Sequence, residues 1–106
     1  MCTSIARVPT NSAPRYLQQL CKHWSHNLDV EFTGETGRIT FPKTLPGSEW
    51  ASEGYLTLQA HDELLECRLS AGVAEQIELL KKIVESHLDR FAFREAPLTF
   101  DWQDQT

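Results

Sequence analysis

One hundred and six residues, 41% hydrophobic and 24% charged, are enough for one domain with one core over residues 1–106 and too few for separate catalytic and regulatory modules. Ten Lys and Arg against fifteen Asp and Glu leave a formal charge of −5, with no basic cluster beyond Lys81-Lys82, so DNA and RNA, which select a basic face, are excluded as expected partners. The opening segment, Met1 to Pro9, has no charged region followed by a long apolar run, which excludes a signal peptide and a membrane span and makes a cytoplasmic location the default expectation.

Thr3 to Val8 reads as a short strand closed by Pro9, which cannot donate to a ladder. In the stretch TNSAPRYLQQLCKHWSHN, Asn11 or Ser12 can cap a helix whose first turn tolerates Pro14. Ala13, Tyr16, Leu17, Leu20, Cys21 and Trp24 share an arc of roughly 140°, the mark of a helix packed on one face, and Asn27 is its expected left-handed terminator. Val30 and Phe32, the turn residues TGETG, then Ile39 and Phe41 form a hairpin pattern of period two. The stretch KTLPGSEWASEG, with Pro46, Gly47 and Gly54, predicts an irregular loop with Trp50 turned inward or clasping an edge. A second hairpin follows: Leu56, Leu58 and Ala60, the turn His61-Asp62-Glu63, then Leu65, Cys67 and Leu69.

A second helix is predicted from near Ser70–Gly72 to about Phe91, with Val73, Ile77, Leu80, Val84, Leu88 and Phe91 within roughly 90° of one another. Glu75 and Glu78 lie near its positive end, His87 and Arg90 near its negative end, and Glu78 can meet Lys82 at i+4. Leu98, Phe100 and Trp102, again in period two, predict a last short strand or packing over a helix end. The fold class is therefore α+β, a two-layer sandwich in β-α-β-β-β-β-α order with both helices on one face of an antiparallel sheet and an extra C-terminal strand in prospect. That order is similar to the TATA-box-binding-protein fold, although the acidic balance argues against carrying over its function.

His87 motivates a site, because it falls on the apolar stripe of the second helix, about 40° from Val84. Its ring is either a structural group satisfied by a backbone carbonyl, by Tyr16 or by an acid, or a base, pH sensor or metal ligand in a small cavity. His23, at the edge of the first helix's apolar arc beside Tyr16, is its natural companion, and Cys21 could join them around an inter-helix groove. The spacing matches no metal motif: Cys21 and His23 do not face each other and His26 points away, so no metal site is assigned and no cofactor is named. Cys2, Cys21 and Cys67 are odd in number without a CxxC pair and read as reduced thiols, two of them buried. Phe93 and Trp102, flanked by Arg90 and Arg94, could present a ligand or partner surface that binds an anion. No phosphate loop, nucleophile elbow or paired-carboxylate signature is present, which leaves an enzymatic role unsupported.

The segments RYLQQLCKHWSH, VEF…GRITFP, HLDRFAFRE and the final FDW together resemble the bacterial family catalogued as domain of unknown function 2218, over nearly the whole chain. That resemblance implies a small bacterial cytosolic protein without established catalytic residues. The association of some members with siderophore-interacting proteins implies a small-molecule or protein partner in iron uptake. Three readings follow: a non-enzymatic binding or accessory module linked to iron-siderophore handling; a small enzyme or metal-binding protein using His87 and His23; and an interaction protein that homodimerises through the open sheet face or an edge strand.

Overall fold

The computed structural model describes residues 2–45 and 47–105, so Pro46, expected in the central loop, lies outside the described residues. Period-two burial generates the sheet: in β3 (Thr36–Phe41), β6 (Gly54–Ala60) and β7 (Leu64–Ala71) alternate residues turn to the helices, among them Ile39, Phe41, Leu56, Leu58, Leu65, Cys67 and Leu69, all 0–2% exposed. β1 (Cys2–Pro9) pairs antiparallel with β7 over its full length, β2 (Asp29–Phe32) pairs with β3, and with β8 (Gln103–Gln105) the six-stranded order is β2-β3-β6-β7-β1-β8. The other face is polar, with Arg7, Arg38, Arg68 and Gln59 exposed.

Both helices cover the apolar face, as the two-layer reading expects. Helix α1 (Ala13–Trp24) buries the six residues its period picks out: Ala13, Tyr16, Leu17, Leu20, Cys21 and Trp24. It packs closely enough on β3 that a Cβ built on Gly37 would lie 2.7 Å from Cys21 Sγ, which is why that strand position carries no side chain. Helix α2 (Ala74–Phe91) buries Ile77, Leu80, Val84 and Leu88, together with Gln76, whose amide donates to the Ser52 carbonyl at 3.0 Å. Val84→Ala would remove side-chain volume from a site with no exposure, a change that costs on the order of 1–3 kcal/mol in such cores.

Several local expectations are corrected. Ser70 and Ala71 continue β7, opposite Thr3 and Cys2, so α2 begins at Ala74, and Val73 is an exposed N-cap residue instead of a core one. Asn27 does not take a left-handed conformation: the first helix closes through the amides of Asn27 and Leu28 on the Trp24 carbonyl. Ser12 stands at the N-cap but makes no side-chain cap; its own amide donates to Thr10 Oγ1. The central loop contains a small ribbon, β4 (Thr44–Leu45) against β5 (Ser48–Glu49), followed by the half-buried Trp50, whose amide donates to the Lys43 carbonyl at 2.8 Å.

At the C-terminus the strand is polar β8 (Gln103–Gln105) on the free edge of β1, while Leu98 enters the core and Phe100 and Trp102 pack partly against it. Trp102 Nε1 donates to Glu85 at 2.7 Å, and Lys81 meets Asp104 at 3.1 Å and Glu78 at 2.8 Å, in place of the expected Glu78–Lys82 pair. These contacts clasp β8 to α2.

Candidate functional site

Where α1 and α2 face each other, a file of rings runs from the core to the surface. Phe41 meets Trp24 edge-on at 5.2 Å between centroids, Trp24 meets His87 at 4.9 Å, His87 meets His23 at 5.5 Å and His23 meets Phe91 at 5.6 Å. His87 is the half-buried middle of that file. Its Nδ1 lies 2.7 Å from the carbonyl oxygen of Ile83, one turn back on α2. A carbonyl only accepts, so Nδ1 carries the proton, which leaves Nε2 as the ring nitrogen not engaged by that carbonyl. His87 is thus held by a backbone carbonyl and by two rings, and Tyr16 is not its partner.

Tyr16, 7% exposed, instead donates its hydroxyl to Glu95 Oε2, and Thr10 Oγ1 donates to the same carboxylate at 3.0 and 3.1 Å. Those two bonds tie the segment after α2 to the start of α1. The bond to Glu95 raises the Tyr16 pKa above its ordinary value, with burial and the carboxylate's charge acting in the same direction. Burial lowers the pKa of His23, and the positive charges of His87, Arg90 and His26 push it the same way. Cys21 does not ring the groove: it is fully buried under β3, and burial pushes its thiol up to about 11, outside the range of a reactive thiolate.

Beside the rings lies a cavity of 170 Å³ lined by Arg15, Tyr16 and Gln19 from α1, Phe91 from α2, and Phe93 and Arg94 from the segment that follows. Phe93 is 72% exposed, with the Arg94 guanidinium 5.8 Å from its ring centroid. Among the described residues, Arg15, Arg90 and Arg94 form no ion pair, although the chain carries five more acids than bases. Tyr16, Phe93 and Arg94 therefore share one site with His23 and His87 beside it and Arg90 close to His23. Trp102 stands apart in the clasp of β8. No group of three or more His, Cys, Asp or Glu among the described residues is placed to hold a metal ion.

Sequence reasoning passes over Arg15 and Gln19, although with His23 they recur every four residues and so lie along one strip of α1. Nothing local points to Glu95, because its partner Tyr16 is 79 positions away.

The family model for "Uncharacterized protein conserved in bacteria (DUF2218)" matches residues 5–103. The chain belongs to that family. The matched DUF2218 region holds every residue that lines the groove. The NMR structure of PA4090 from Pseudomonas aeruginosa is similar: it is 32% identical, the match covers 97% of this chain and 96% of that one, and the TM-score is 0.75. No curated protein matches the chain. No helix among the described residues is long and apolar enough to cross a membrane.

Proposed function

We propose that this DUF2218 chain is a non-enzymatic binding module of the bacterial cytoplasm, that its ligand or partner docks in the groove between α1 and α2, and that it serves iron-siderophore handling. One observation carries the reading: two unpaired guanidiniums, the exposed ring of Phe93 and the half-buried ring of Phe91 converge on one cavity of an otherwise acidic chain. Concave sites that combine apolar walls with a few convergent polar groups are where small ligands bind. At 170 Å³ the cavity is far smaller than a whole ferric siderophore, so a single arm of the chelate would enter and the metal centre would stay outside. Calorimetry with a ferric tris-catecholate and a ferric trihydroxamate tests this. Heat of binding with the native chain, lost in Arg15→Gln/Arg94→Gln, supports the reading; no heat with either chelate removes the iron connection.

A second reading rests on His87 itself. A ring whose Nδ1–H is fixed on a carbonyl is oriented as metal-bound imidazoles are, and His23 stands 5.5 Å away, centroid to centroid. Titration with Zn²⁺ should then broaden both imidazole signals together, and His87→Gln should abolish the response while leaving unfolding cooperative.

A further inference from the structure

We infer that the groove takes a small planar aromatic carboxylate, with the carboxylate held by Arg15 and Arg94 and the ring against Phe91 and Phe93; this rests on the groove being the ligand site.

Charge is the first argument. Neither arginine is paired among the described residues, and the nearby carboxylate, Glu95, is held by the hydroxyls of Tyr16 and Thr10. Glu95 keeps its charge but does not line the cavity, so two guanidiniums against one carboxylate leave the groove with a positive balance. Arg15 also lies in the first turn of α1, which contains no acidic residue to offset the positive end of the helix dipole. A guanidinium offers a planar fork of donors that matches a carboxylate in two parallel bonds, and two of them line this cavity.

Shape is the second argument. A cavity of about 150 Å³ holds benzene in a protein interior. The 170 Å³ here is room for one six-membered ring with its acid group, and too little for a nucleotide. Two phenyl rings line the space, and Phe93 keeps 72% of its surface in solvent, an exposed apolar area that gains from being covered. Gln19, also in the lining, supplies an amide donor and acceptor for a ring substituent. Acetate would leave the rings uncovered, and a neutral ring would leave the guanidiniums unmatched.

Amide chemical shifts of the isotopically labelled chain, followed during titration with benzoate, acetate, cyclohexanecarboxylate, benzyl alcohol and benzylamine, test the assignment. Benzoate should move the amides of residues 15–19 and 91–94 and bind at least tenfold more tightly than each of the others. Arg15→Gln and Arg94→Gln should each weaken benzoate about tenfold, the loss expected for one charged hydrogen-bonding partner. Both arginines are exposed and unpaired, so these variants should melt with the native chain. Phe93→Ala should weaken benzoate and leave acetate unchanged. If benzyl alcohol or benzylamine binds the same amides as well as benzoate, the carboxylate class is wrong while the groove stands as a site. Equal binding of cyclohexanecarboxylate overturns the aromatic part, and no movement of these amides with any probe overturns both this inference and the reading beneath it.

Discussion

Tyr16→Phe removes a single oxygen from the groove and tests how the segment after α2 is held. The ring is 7% exposed and stays packed, so the change isolates the hydrogen bond to Glu95. A bond to a charged acceptor contributes roughly 1.5–3 kcal/mol, and the lower end applies because Glu95 keeps its bonds from Thr10 and is otherwise open to water. With an unfolding entropy of about 2.1 cal/mol/K per residue, 106 residues give about 220 cal/mol/K, so 1.5 kcal/mol lowers Tm by about 7 °C. Thermal melts of the native chain, Tyr16→Phe, Glu95→Gln and the double variant complete a cycle, in which the double loss should fall short of the sum of the single losses, because both variants weaken the Tyr16–Glu95 bond and only Glu95→Gln also touches Thr10.

The same contact has a pH signature. The Tyr16 pKa is raised in the folded state, so its contribution is fully present below the ordinary tyrosine value of about 10 and is lost as pH rises through the folded value. The stability gap between the native chain and Tyr16→Phe should close in that alkaline window. A Tm unchanged by Tyr16→Phe, or additive losses in the cycle, would refute the tie between Tyr16 and Glu95.

Gly37→Ala places a methyl 2.7 Å from Cys21 Sγ and should destabilise by about 1–3 kcal/mol, with Cys21→Ala in the same chain restoring much of the loss in denaturant unfolding. Thiol labelling in native conditions should modify Cys2 alone, since Cys21 and Cys67 are buried and burial raises both thiol pKa values; labelling of Cys21 before unfolding would contradict the packing of α1 on β3. The His23 imidazole signal should titrate below the ordinary histidine value, and because the unfolded chain then binds more protons, His23 should favour folding more as pH rises through that interval; Arg90→Gln should move the midpoint upward.

The period of the sequence carries most of the architecture. The apolar arc of α1 names all six of its buried residues, and alternation places the inward residues of β3, β6 and β7. It fails where pairing across the sheet overrides local pattern. Ser70 and Ala71 look like a helix approach, yet they extend β7 because β1 offers Thr3 and Cys2 as partners. Leu98, Phe100 and Trp102 alternate like a strand, yet Leu98 turns into the core with its amide on Asp89 Oδ1, and the paired residues are the polar Gln103–Gln105. In the site, an imidazole on an apolar stripe is visible in sequence, whereas its tautomer is decided by the Ile83 carbonyl and the position of Arg94 by the contact of Glu95 with Thr10 and Tyr16, all of which need the folded chain.

Native mass spectrometry of the untagged chain taken gently from bacterial cells, beside Arg15→Gln/Arg94→Gln prepared in the same way, tests the central claim that the inter-helix groove is a ligand site. The account predicts a small anionic adduct on the native chain that is missing from the variant. A native chain that carries no added mass, or an adduct retained unchanged when both arginines are replaced, would contradict it.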